Sequence, residues 1–160
     1  MKFRKNDFPD IGFDPDTVRG NRLRRFYSYW DGRRGRREMP ARRDIDPVDI
    51  PWMLGFVTLH EVLPCGNFRF RVDATHTADV FGVDMTGRTL DEYPAPDVRE
   101  MIRASLTTVI ETRVPLRRDL DFGARFQNWR YERLILPLSD DGERINMLFS
   151  AIDAAPTAGG

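Results

Sequence analysis

Between residues 68 and 93 the spacing of apolar positions changes twice. Phe68, Phe70 and Val72 alternate with Arg69, Arg71 and Asp73, the two-residue period of a half-buried strand. Residues 75–81 then suit a short helix that stops at Gly82. Asp84-Met85-Thr86-Gly87 reads as a tight turn, followed by a second short helical piece around Leu90. A strand followed by small, broken helices wraps a side pocket onto a sheet. The later elements read as closing that pocket.

Elsewhere the pattern is equally directional. Leu23, Phe26, Tyr27 and Trp30 fall at i, i+3, i+4 and i+7, which gives one helix an aromatic stripe, with Gly32 as its stop. The stripe is expected to pack on the domain's own sheet or to form a homodimer interface. Asp46 can cap a short helix, or two joined turns, opened by Pro47 and ending near Gly55. A strand over 56–62, the turn Pro64-Cys65-Gly66-Asn67 and a strand over 68–74 make a hairpin. Val98, Met101, Ile102, Leu106, Val109 and Ile110 follow a helical period that Pro115 ends. Strands over 116–122, 127–138 and 145–152 follow, the last two joined by the turn Ser139-Asp140-Asp141-Gly142. Hairpin-linked strands with helices gathered between them predict an α+β fold: a five-stranded antiparallel sheet with helices on one face and an N-terminal amphipathic helix.

Composition narrows the setting. A chain of 160 residues, 41% hydrophobic, suits one domain with an ordinary core. A single cysteine, Cys65, excludes an internal disulfide and a thiolate-rich metal site. No run of about 18 apolar residues occurs, and residues 1–16 lack the apolar core of a signal peptide, so a cytoplasmic protein is expected. Residues 1–17 read as a mobile arm, 18–43 as the N-terminal helix and an arginine-rich segment, 44–153 as the main domain and 154–160 as a flexible tail. Net charge is zero, but residues 19–43 hold ten arginines against Asp31 and Glu38, a local +8. Such asymmetry raises a polyanion-binding alternative through that segment. No helix-turn-helix, zinc-finger or RNA-recognition pattern supports nucleic acid.

Two strands, short helices, one long helix and three strands in that order are similar to the PAS fold. The motifs carry the resemblance further. DIDP at 44–47, FGVDMTG at 81–87 and LPLS at 136–139 resemble a family of short, stand-alone bacterial PAS-domain proteins, known mainly from alphaproteobacteria. The similarity runs over about residues 20–152. It implies a small sensory or interaction module with a ligand pocket or a dimerising surface. One departure falls at the end of the second strand. There the family carries an apolar residue and a glycine, where this chain has Asp73 and Ala74.

On that reading the pocket candidates are Phe70, Val72, Val80, Phe81, Leu90, Met101, Ile102, Trp129, Tyr131 and Met147, and the dimer candidates are Leu23, Phe26, Tyr27 and Trp30. A small apolar ligand is the expected occupant. His76 is the one candidate haem ligand and more simply an exposed or capping residue, while His60 is expected to pack or to face water. Cys65 sits in a hairpin turn, away from where a flavin photosensor needs its thiol. No nucleophile elbow, phosphate loop or dinucleotide fingerprint occurs. The expected function is therefore non-enzymatic. It is a sensory module that uses no cofactor or metal and couples a ligand or an unidentified protein partner to the dimerising helix. The alternative is a pure protein–protein interaction module.

Overall fold

The computed structural model describes residues 13–73, 75–121 and 130–154. The start of the N-terminal arm, the tail beyond 154 and the strand positions predicted at 74, 122 and 127–129 lie outside the described residues. Within the arm, Asp14 caps a turn at Pro15–Thr17, and the Phe13 ring lies 5.4 Å from that of Tyr27.

The aromatic stripe lies on α1 (Asn21–Arg34). The helix runs through Gly32 and ends at Gly35, whose φ of +59° suits a residue without a Cβ. Its last turn is held by Arg34 donating to Asp31 across 2.7 Å, both side chains buried. The segment opened by Asp46 forms two three-residue turns, Pro47–Asp49 and Pro51–Met53. Next come β1 (Val57–Val62) and β2 (Phe68–Asp73). The short α2 (Thr75–Phe81) stops at Gly82, where φ is +75°. Pro96 opens α3 (Pro96–Thr112), which closes on Arg113 in a left-handed conformation before Pro115 is reached. The chain finishes with β3 (Leu116–Asp121), β4 (Arg130–Leu138) and β5 (Met147–Ala154). β5 starts later than its apolar run, because Asn146 is spent on the turn: its side chain exchanges two hydrogen bonds with Asp140.

The strands form one antiparallel sheet in the order β2-β1-β5-β4-β3. The hairpins β1–β2, β3–β4 and β4–β5 are local, while β1 pairs with β5 across the middle. Alternation along β4 and β5 sorts side chains to two faces. Glu132, Leu134, Leu136, Phe149 and Asp153 face α1. There Phe26 meets Phe149 edge-on at 4.7 Å, and the Trp30 indole donates to the Pro137 carbonyl at 2.9 Å. Tyr131, Arg133, Ser150 and Ile152 face α3. The sheet is thus a middle layer, covered by α1 on one face and by α3 on the other.

Alternation fails in β2. Thr58 stands opposite Asp73 and Leu59 opposite Val72, but His60 stands opposite Phe70, so Arg71 is an extra residue in the pairing. This bulge shifts the phase of the strand end. Phe68 and Phe70 are buried, whereas Val72 faces outward at 44% exposure. The residue turned to the α3 face in its place is Asp73.

Candidate functional site

The α3 face of the sheet is not completely filled. A partly open pocket of about 30 Å³ lies between it and Ile102 of α3, with Phe70, Val83 and Tyr93 completing the apolar wall. The space suits a water molecule or a very small group. Its polar lining is unusual for a core: Thr58, His60, Asp73, Arg133 and Ser150 all contribute.

His60 is 1% exposed, and its Nδ1 is buried without a hydrogen-bond partner among the described residues. Its Nε2 lies 3.5 Å from the Ser150 hydroxyl, which is also 3.5 Å from the Thr58 carbonyl. Burial, assisted by the nearby Arg133 charge, pushes the imidazole pKa down to about 3. The ring is neutral at physiological pH.

Arg133 is 6% exposed. Its side chain makes no hydrogen bond or ion pair with the described residues. Burial lowers its pKa to about 10, with Tyr93 and Asp73 opposing that shift through their charge, so the guanidinium stays charged at neutral pH. Asp73 is the acidic member of the lining. Its Oδ2 accepts from the Met85 amide at 3.0 Å and its Oδ1 from the Thr58 hydroxyl at 3.3 Å. Burial raises its pKa, although those two hydrogen bonds and Arg133 pull the other way. A cation without a protein partner is costly in a largely apolar setting. Here it sits beside a space that could admit a counter-group.

The neighbouring residue on β4 points the other way. Glu132 is fully buried under the start of α1. It accepts from the amides of Arg19 and Gly20 at 2.9 and 2.8 Å and from Arg117 Nε at 2.6 Å. Burial would raise its pKa, but the two backbone donors and the guanidinium outweigh it and hold the carboxyl below its usual range. A Cβ on Gly20 would stand 3.1 Å from Glu132 Oε1, so a side chain here would require the carboxylate to give by a few tenths of an ångström.

Of the sequence-derived pocket candidates, the structure brings Phe70 and Ile102 to the cavity wall. Leu90 is fully buried in the main core. Tyr131 and Met101 belong to a separate small cluster with Leu120 and Ile152. Met147 packs in the main core, on the α1 side by alternation. Val72 is turned outward by the bulge. The side chains of Val80 and Phe81, and all of Trp129, lie outside the described residues. The stripe residues Leu23, Phe26, Tyr27 and Trp30 are buried within the single chain, so their contacts are already made by their own sheet. His76 lies on α2 with its ring 4.8 Å from Phe56. Among the described residues no cluster of three His, Cys, Asp or Glu could hold a metal, and no helix is long and apolar enough to cross a membrane.

A family model for the PAS domain matches residues 18–152. The chain belongs to the PAS domain family. Solved PAS structures agree on the fold. The PAS domain of BvgS from Bordetella pertussis is 17% identical at a TM-score of 0.54, covering 69% of this chain and 83% of that one. VqmA of Vibrio cholerae is 16% identical at a TM-score of 0.52, covering 70% of this chain and 52% of that one. A structure described as VqmA bound to DPO gives 17% and 0.52, with 69% and 58% covered. No curated protein matches the sequence. In this PAS domain the cavity occupies the space between the sheet and α3, and its polar residues are ones that periodicity did not select. Part of the arginine-rich segment is engaged by the domain itself. Arg33 pairs with Asp49, Arg37 with Asp44 and Arg22 with Asp153, while Arg25 lies over the Trp52 ring.

Proposed function

We propose that this PAS domain is a non-catalytic, cytoplasmic sensory module that holds a small molecule in the cavity under α3 and passes its state through β4 to α1. The observation that carries the reading is the pair Glu132 and Arg133. Consecutive residues of one strand point to opposite faces, one lining the cavity and one receiving the amides that begin α1. A shift of β4 that accommodates a ligand at Arg133 also moves the anchor of the helix. VqmA, of the same fold, is described bound to DPO, which agrees with a small molecule as the input.

The output follows from what α1 conceals. Leu23, Phe26, Tyr27 and Trp30 form an apolar stripe that the sheet covers. Loosened from the sheet, it would be available to a second copy or to another protein. A ligand acts on this equilibrium only through its different affinity for the docked and loosened states. Hydrogen–deuterium exchange tests the coupling. A molecule that raises the melting temperature should change amide exchange in β4 and in the first turn of α1. Failure to find any small molecule that binds, or an exchange change confined to the cavity wall, would overturn the reading.

A further inference from the structure

We infer that the occupant of this cavity is a compact monocarboxylate, received by the unpaired guanidinium of Arg133 beside the imidazole of His60. The inference rests on the sensory reading above and adds the chemistry of the ligand. Three features of the lining point to it. Arg133 is charged and buried, and none of the described residues supplies it with a partner. The acidic residue that could have done so, Asp73, has its two oxygens engaged by Thr58 and the Met85 amide, and it forms no ion pair with Arg133. His60, buried and neutral, leaves Nδ1 without a partner; in the tautomer protonated there it donates to an anionic oxygen.

The shape of the donor favours a carboxylate over a phosphate. A planar guanidinium receives a carboxylate through two parallel hydrogen bonds. A phosphate would bring nearly two negative charges into a space with one cation and Asp73. The apolar remainder of the wall, Phe70, Val83 and Ile102, suits a short alkyl or hydroxyalkyl stem. At about 30 Å³ the space holds a water molecule as it stands, so even the smallest such acids enter only with a shift of its walls. The bulge at Arg71 is what places Asp73 in this lining, at one of the two positions where the chain departs from the pattern it otherwise resembles.

The test compares sodium propionate and sodium lactate with propionamide, sodium sulfate and sodium chloride at equal ionic strength, reading the melting temperature of the full chain. One of the two carboxylates should raise it saturably, by roughly 5–10 °C at a hundredfold excess over Kd, while amide, sulfate and chloride do not. Arg133→Met should abolish this shift and leave the ligand-free melting temperature unchanged or higher, because it removes a buried unpaired charge. If that variant fails to fold, Arg133→Lys serves, with an expected loss of at least about tenfold in affinity. A shift by propionamide that survives Arg133→Met, or one by sulfate alone, overturns the carboxylate assignment and leaves the sensory reading standing. If a wider set of small molecules also leaves the protein unmoved, both fail.

Discussion

His60 and Glu132 both make the fold less stable as pH falls, over different ranges. The folded imidazole has a pKa of about 3, below the unfolded value of about 6.5. Above that value both states are neutral and nothing is lost. As pH falls through it, the unfolded chain takes up a proton that the folded chain refuses, so stability declines, with a limiting slope of about 1.4 kcal/mol per pH unit. His60→Gln should flatten the stability curve between about pH 6.5 and pH 5, measured by urea unfolding; an unchanged slope would place the ring in water. The Glu132 carboxyl is depressed in the folded state, so its stabilisation is full above the unfolded carboxylate range and lost as pH falls through the folded value. Glu132→Ala leaves two amides and Arg117 without their acceptor. It should cost about 3 kcal/mol at neutral pH and raise amide exchange at the start of α1. Neither role was legible in the sequence. Glu132 and Arg133 stand side by side in YERLILPL, where a charged pair at the start of an apolar run reads as the solvated end of a strand. Only the cover supplied by α1 and α3 buries both.

At the scale of elements, periodicity located α1 and α3 and the faces they bury. It could not say what would cover the α1 stripe, because spacing gives a face and not its partner. The sheet covers it, and Trp30 also donates to Pro137. Trp30→Ala should therefore cost about 3–5 kcal/mol, read as a lower urea midpoint, with no change in sedimentation under conditions where the chain stays folded. A change in oligomeric state without loss of stability would mean the stripe is intermolecular. β2 shows the opposite failure. Strict alternation placed Val72 inward and Asp73 outward, and the bulge at Arg71 exchanged them. Deleting Arg71 should restore the unbulged pairing and withdraw Asp73 from the Met85 amide; protection of that amide from exchange is then lost. Its persistence would show that the bulge does not set the direction of Asp73.

For the whole molecule, the order of elements and the motifs at 44–47, 81–87 and 136–139 were enough for the PAS fold, and the single antiparallel sheet agrees with them. The cavity was harder to read, because its polar members lie far apart in sequence and share a face only after β1 pairs with both β2 and β5. The arginine surplus of residues 19–43 shows the same dependence on assembly. A run that looks like an exposed basic surface has Arg22, Arg33 and Arg37 paired with Asp153, Asp49 and Asp44 once folded. The most direct measurement is a crystal structure of protein purified in chloride buffer, inspected for density between Arg133, His60 and Ile102. The account predicts a small pocket there, with the guanidinium bonded to water or a bound small molecule and no protein carboxylate within 4 Å of it. A direct Asp73–Arg133 ion pair filling that space would contradict it.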